Sequence, residues 1–313
     1  MKNLVPLFLS LILIPQPLHA RTWTAASDGK KMEAEFVKSD GRTVTIRRAA
    51  DNKVFTVPLT TFSEEDREFV AAKIEEMKAA DAEKNAPELS LGDYEEMIKG
   101  EWVKGEHEGV NYQMYGPKRV KRSDSLPLVI YLHGSGERGE DNEQQIRVQG
   151  PKTLTADDNF RKRPCILIAP QAPTDGGWNG GTGDAVLDLI EDIVKNVSVV
   201  DSKRVYVTGY SMGAYGSFSL MSKEPDLFAG AVTIAGGANP GIAGDIKKIP
   251  IWNFHGDMDA TVNVEQSRGI MEALEKARAP VKYTEMAGEG HGIPGKVYND
   301  VEVHEWLFAQ KQD

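Results

Sequence analysis

Gly209-Tyr210-Ser211-Met212-Gly213 is the stretch that most constrains this chain. It follows Arg204-Val205-Tyr206-Val207-Thr208, a β-branched run that reads as a buried strand. After it, Met212, Tyr215, Phe218 and Met221 recur at helical spacing. A serine between two glycines, at a strand-to-helix junction, is the pattern of a sharp turn that exposes a nucleophilic hydroxyl. The neighbours two residues away must lack bulk. The helix that begins there points backbone N–H groups at whatever the serine attacks.

Composition limits the partners. The 313 residues carry 37 basic and 47 acidic side chains, and this net-acidic balance argues against nucleic acid as a partner. The chain has one cysteine, Cys165, in an apolar run that predicts a buried thiol, so no disulfide can form within the chain. Residues 1–20 have a basic start at Lys2, an apolar stretch from Leu4 to Ile14, and a small residue, Ala20, at the end. They read as a cleavable secretory signal, too short for a stable membrane span, cut near Ala20. The mature chain is then expected outside the cytoplasm, secreted or periplasmic, with no membrane attachment.

Residues 21–62 predict a small all-β module. Met32, Ala34 and Phe36 alternate with charged residues, as do Val44 and Ile46, then Phe55, Val57 and Leu59. Four short antiparallel strands of this length would curl into an SH3-like barrel. Arg21-Thr22-Trp23-Thr24, Ala34-Glu35-Phe36-Val37, Val57-Pro58-Leu59 and Phe62-Ser63-Glu64 resemble the SHD1 (Sla1 homology domain 1) type of module. That resemblance implies an adaptor-like unit with a ligand it does not identify. Ser63-Glu64-Glu65-Asp66 has the form of a capping box, and Phe69, Val70, Ile74 and Met77 give the following helix one apolar stripe. Residues 63–88 therefore read as a helix running into a semi-rigid linker, with a catalytic domain over 89–313.

Beyond residue 108 strands alternate with amphipathic helices. Candidate strands are 110–115, 126–132, 165–169, 204–208, 228–235, 251–254 and 281–285, with helices near 184–197, 264–278 and 301–310. This predicts an α/β fold: a mostly parallel sheet with helices on both faces, ligands lying beyond the carboxyl ends of the strands.

A serine hydroxyl needs a base. Of six histidines, His291 lies in the glycine-rich loop Gly288-Glu289-Gly290-His291-Gly292, directly after the last strand. His133 and His255 each end a strand and precede glycine; His133 reads as packing beneath its loop. The acid is expected between Ser211 and His291. His255-Gly256-Asp257-Met258-Asp259-Ala260-Thr261-Val262 resembles the His-Gly-x-x-Asp-x-x-Val signature of many hydrolases, which implies Asp259 as the orienting acid; Asp257 is the alternative. An oxyanion would be held by the Met212 N–H and by a donor from the loop after the 126–132 strand, assigned to Ser135 N–H with Gly136 as fallback.

Taken in this order, Gly209–Gly213, His255–Asp259, His291 and the run His133–Asn142 resemble the α/β-hydrolase fold. Within it they resemble esterases and peptidases of the polyhydroxybutyrate-depolymerase and feruloyl-esterase kind. The resemblance covers residues 108–310 and implies acyl transfer to water through an acyl-serine, with no metal or organic cofactor. The short connection from Ala235 to Ile251 leaves no room for a large cap, so the site should be open and suited to small or polysaccharide-linked esters. Trp178, between glycines on the catalytic edge, is expected either to stack on a sugar or aromatic acid or to pack under its own loop. Glu137 and Arg138 are placed to grip substrate or to pair with each other or with Asp141. The function expected is a serine hydrolase cleaving carboxylic esters. The alternatives are a serine peptidase of the same fold and a binding protein working through the β module.

Overall fold

A computed structural model describes residues 20–313, and the expected leader, apart from Ala20, lies outside the described residues. The chain divides into two compact units, one ending at Asn85 and one spanning Ala86–Asp313. Among the described residues no helix is long and apolar enough to cross a membrane.

The first unit is a meander of β1 (Arg21–Thr24), β2 (Lys31–Ser39), β3 (Thr43–Arg48) and β4 (Val54–Pro58), antiparallel in sequence order. A bulge between Phe36 and Lys38 bends β2. The segment after β4 returns to β1: Ala26 N–H donates to Thr61 O at 2.9 Å and Ser63 N–H to Thr24 O at 2.9 Å. The sheet therefore curls closed. Its inward-facing Trp23, Ala34, Phe36, Val44, Ile46 and Phe62 form one small core.

Helix α1 (Glu64–Asn85) covers that core with its first half only. Val70 is buried and Phe69 and Ile74 partly so, whereas Met77, counted in the apolar stripe from sequence, is 45% exposed. The capping box is also altered. Asp66 does not reach back to the Ser63 amide, which is engaged by Thr24 O. Its buried carboxylate instead accepts from Ser63 Oγ and Thr24 N, both at 2.8 Å, and pairs with Arg21 at 2.9 Å. One carboxylate thus ties the helix start to β1.

The second unit runs β5 (Val103–His107), β6 (Val110–Tyr115), β7 (Leu126–Leu132), α2 (Gln149–Leu154), α3 (Asp157–Lys162), β8 (Ile166–Pro170), α4 (Gly181–Asn196), β9 (Val200–Tyr210) and α5 (Met212–Lys223). It continues through β10 (Gly230–Ile234), α6 (Ala243–Ile246), β11 (Ile251–Gly256), α7 (Glu265–Lys276), β12 (Val281–Met286), α8 (Pro294–Tyr298) and α9 (Val301–Phe308). The eight strands lie in the order β12-β11-β10-β9-β7-β8-β6-β5. All neighbours from β12 to β8 are parallel; β6 joins β8 and β5 joins β6 antiparallel. This is the mixed sheet of an α/β-hydrolase. Strand β5 was not expected: its alternation is broken by Gly105 and leaves mostly polar residues on an edge.

Every residue of β7 is buried, and the reason is visible in its two faces. Leu128, Ile130 and Leu132 enter the core under α4, α5 and α7; Val129 and Tyr131 enter the opposite core with residues of α2, α8 and α9. Cys165 belongs to that second core and is fully enclosed, its thiol pushed up to about 12 by burial. Each such side chain, moved from water into the core, contributes about 2 kcal/mol.

The registers align the strand ends that matter. Leu132 sits beside Gly209, Tyr210 beside Ile234, Ile234 beside Phe254, and Gly256 beside Met286. The loops that begin at residues 133, 211, 257 and 287 therefore leave the sheet along one rim.

Asp66→Ala should remove the tie in the first unit. It leaves the Thr24 amide unpaired and Arg21 without its partner, a loss of about 3 kcal/mol in a small core. Hydrogen exchange of amides in residues 20–85 should accelerate by roughly 100-fold in that variant; unchanged protection would show that Asp66 does not hold β1.

Candidate active site

Ser211 occupies the turn between β9 and α5 with φ 55° and ψ −118°, a conformation that a non-glycine residue adopts only when its surroundings enforce it. The enforcement comes from both sides. Ser211 N–H donates to Ile234 O at 2.8 Å. A Cβ on Gly213 would lie 1.9 Å from Leu132 O, and one on Gly209 would lie 2.2 Å from Gly213 O. Only glycines at both positions let α5 begin hard against the end of β7.

His291 reaches this serine from the loop after β12. Its Nε2 lies 2.9 Å from Ser211 Oγ, and its Nδ1 lies 2.6 Å from Asp259 Oδ2. A carboxylate can only accept, so Nδ1 carries the proton and Nε2 is the bare nitrogen facing the hydroxyl. Asp259 is fixed by its own turn: Oδ1 accepts from Thr261 N and Val262 N, each at 2.8 Å. Burial pushes the Asp259 carboxyl up, but the bonds from His291, Val262 and Thr261 outweigh it and hold the carboxyl below its usual range. The other aspartate, Asp257, accepts from Gly288 N at 2.7 Å and so pins the histidine loop rather than the imidazole. Tyr210 adds a second pin, its hydroxyl donating to His291 O at 3.1 Å. Sequence reasoning passed over Tyr210, although its place beside Ser211 could have drawn attention to it.

Met212 and Ser135 are both first residues of helical turns, where N–H groups have no partner within the helix. Met212 opens α5, whose positive end faces the serine. Ser135 opens a single 3₁₀ turn, residues Ser135–Glu137, after β7. Beneath it His133 is fully buried: Nε2 accepts from Ala172 N at 2.9 Å and Nδ1 donates to Gly134 O at 2.5 Å. Burial pulls its imidazolium down to about 4, so His133 is a neutral strut for this loop.

Of the substrate contacts expected from sequence, Trp178 is not free to act as one. Trp178 is 1% exposed. Its Nε1 donates to His133 O at 3.0 Å, its ring stands edge-on to the His133 ring, and Gly216 admits it against α5. With no open ring face, it props the 133–139 loop instead of stacking on a ligand. Glu137 turns back on its own loop, where burial raises its carboxyl and the Gly134 and Glu137 amides oppose the rise. It pairs with neither Arg138 nor Asp141; the latter is engaged by Gln171 at 2.8 Å. Arg138 lines a cleft of about 450 Å³ beside the serine, together with Asn179, Met212 and Tyr215. Among the described residues no metal-binding cluster of His, Cys, Asp and Glu occurs.

His133 makes stability depend on pH. The unfolded imidazole binds a proton below about 6.5, the folded one only below about 4. Stability should therefore fall as pH drops through that window, by on the order of 3 kcal/mol from this group. His304, also held down chiefly by burial, adds in the same direction. Melting temperature measured from neutral pH down to about 4 should decline. His133→Phe should flatten the decline while lowering the neutral value; an undiminished slope would count against the strut.

Comparison with known proteins agrees with this fold. Residues 182–305 match the family described as Phospholipase/Carboxylesterase. A poly(3-hydroxyalkanoate) depolymerase C of Paucimonas lemoignei is 29% identical over 60% of this chain and 54% of its own length. A bifunctional acetylxylan esterase/xylanase of Neocallimastix patriciarum is 27% identical over 52% of this chain, which spans only 23% of that protein. The chain thus covers about half or less of these relatives. Among solved structures, a thermostable esterase superposes with a TM-score of 0.61 and 32% identity, over 68% of this chain and 63% of that one. From its sheet order, its turn at Ser211 and these likenesses together, the unit Ala86–Asp313 has the α/β-hydrolase fold.

Proposed function

We propose that this chain is a secreted serine esterase that cleaves carboxylic esters, acyl or aryl, on carbohydrate or other bulky alcohols. The observation that carries the reading is the unbroken line of short contacts from Ser211 Oγ through His291 to Asp259. In this reading Ser211 Oγ attacks the ester carbonyl carbon while His291 Nε2 takes its proton. Asp259 stabilises the imidazolium that forms. The negative oxygen of the tetrahedral adduct is held by the Met212 N–H and the Ser135 N–H, each contributing roughly 100-fold or more to rate. Collapse of the adduct breaks the bond to the alcohol oxygen, which leaves with the proton from His291. Water then attacks the acyl-serine with His291 again as base, releasing the acid and restoring the hydroxyl.

Several features support the substrate class. The connection from β10 to β11 holds only the four-residue α6 and a short turn, so no cap is inserted there. The relatives named above include enzymes whose descriptions specify acetylxylan and polyhydroxyalkanoate. The basic start, apolar stretch and small final residue of 1–20 support export with cleavage near Ala20. The closed β meander of the first unit supports an SHD1-type module carrying its own ligand.

Ser211→Ala and His291→Ala should each lower turnover of p-nitrophenyl acetate by roughly 10⁴-fold or more while leaving the circular dichroism spectrum intact. Full activity in Ser211→Ala would end this reading. Acetylated, feruloylated and peptidyl substrates compared side by side should give hydrolysis of the esters alone; cleavage of the peptides at comparable kcat/KM would make the enzyme a peptidase.

A further inference from the structure

Among the residues that line the cleft beside Ser211, Arg138 alone is charged. Asn179, Tyr215, Met212, Gly177 and Gly216 line it as well. Three of these side chains, Arg138, Asn179 and Tyr215, end in hydrogen-bonding groups that have no hydrogen bond to the described residues. Nor does any carboxylate among the described residues pair with Arg138: Glu137 turns back on its own loop, and Asp141 accepts from Gln171 at 2.8 Å. In a chain with a net charge of −10, this cleft carries a positive charge that nothing around it neutralises.

The main chain that bears the guanidinium is fixed on both sides. Glu137 O accepts from Gln171 Nε2 at 3.1 Å, and Gly139 N–H donates to Ala172 O at 3.0 Å. Trp178 braces the start of the same loop at His133 O. The anchors that hold the Ser135 amide therefore also hold the base of Arg138.

The position of His291 decides which half of an ester this cleft receives. In the esterase reading, on which this inference rests, His291 Nε2 returns a proton to the alcohol oxygen, so the alcohol leaves on the His291 side. Among the described residues, neither His291 nor any neighbour in the 287–292 loop lines the cleft. Two of its walls come instead from the elements that carry the oxyanion donors. Arg138 follows Ser135 in one, and Tyr215 lies one helical turn beyond Met212 in the other. The acyl half, across the carbonyl carbon from the alcohol, is the part that enters.

We propose that this cleft binds the acyl half of the substrate and that Arg138 selects acyl groups ending in a carboxylate, so that the preferred esters are half-esters of dicarboxylic acids. A guanidinium has donors only, in a planar fork that matches a carboxylate. The Tyr215 hydroxyl is a further donor; burial, with the Asp259 charge, pushes its pKa up and keeps it protonated. A neutral acyl chain leaves the guanidinium in water and gains nothing from it. A carboxylate forms charge-assisted hydrogen bonds to it. Arg138 is thus a specificity residue, in contact with the remote end of the acyl group and not with the reacting atoms.

Ethyl hydrogen glutarate and ethyl glutaramate test this, because they differ only in a carboxylate against a carboxamide of the same shape. Ethanol release by the full-length wild type near neutral pH and at low salt should favour the carboxylate by roughly 10-fold in kcat/KM. Arg138→Gln should erase that ratio, Arg138→Glu should invert it, and Arg138→Lys should keep part of it. In about 1 M salt the wild-type ratio should shrink toward unity. A wild-type ratio near unity at low salt, or one that Arg138→Gln leaves intact, would overturn the proposal. A larger preference for acetoxyacetate over acetoxyacetamide, whose carboxylate lies in the alcohol half, would overturn the placement of the acyl group. Binding is read apart from turnover. Ser211→Ala, titrated calorimetrically with the two glutaryl esters, should bind the carboxylate form more tightly, and adding Arg138→Gln should remove the difference. If the wild type hydrolyses neither these esters nor p-nitrophenyl acetate, the esterase reading fails, and the titration still decides the role of Arg138.

Discussion

The contact on which this site depends is between backbones. The first turn of α5 lies so close to the end of β7 that a single added carbon at Gly213 would fall 1.9 Å from a carbonyl oxygen. That approach holds Ser211 in its left-handed turn and sets the start of α5 beside the loop that β7 feeds. The elements around it are stiff. β7 is buried along its whole length, β9 pairs with it in parallel, and His133 and Trp178 brace the loop from beneath. A strained turn persists only where its surroundings over-determine it, and here a strand, a helix and a propped loop all do so.

Much of this was legible in the sequence, for identifiable reasons. Buried parallel strands leave continuous apolar runs, so 126–132 and 204–208 stood out, and the glycines around Ser211 have no substitute. The order of serine, acid and histidine along the chain then pointed to the loops that meet. The sequence favoured Asp259 over Asp257 only through its resemblance to a hydrolase signature, since both follow β11 and both are suited to capping turns. Three-dimensional placement separates them: one carboxylate meets a loop amide, the other the imidazole. Trp178 shows the opposite limit. Glycine neighbours make a tryptophan appear exposed, yet Gly216, far away in sequence, supplies the space into which it packs.

The first unit shows how a small core is stabilised by one polar anchor. Its few aromatic and aliphatic side chains enclose little volume, and α1 adds only its first half. Asp66 compensates by joining strand, turn and helix at one buried carboxylate. The capping pattern was readable in sequence; the longer reach to Thr24 and Arg21 was not, because it depends on how the sheet closes.

The enclosure of Cys165 has a further meaning. A sulfur enclosed in the core that β7 shares with α2, α8 and α9, and kept protonated by burial, is unavailable as a nucleophile toward oxidants or foreign disulfides. Since the chain has no other thiol, its folded form has no reactive thiol, and disulfide-linked dimers can arise only from opened molecules. Thiol-specific alkylation of this protein would accordingly act as a clock for opening of the hydrolase unit, marking each molecule the first time its inner layers part.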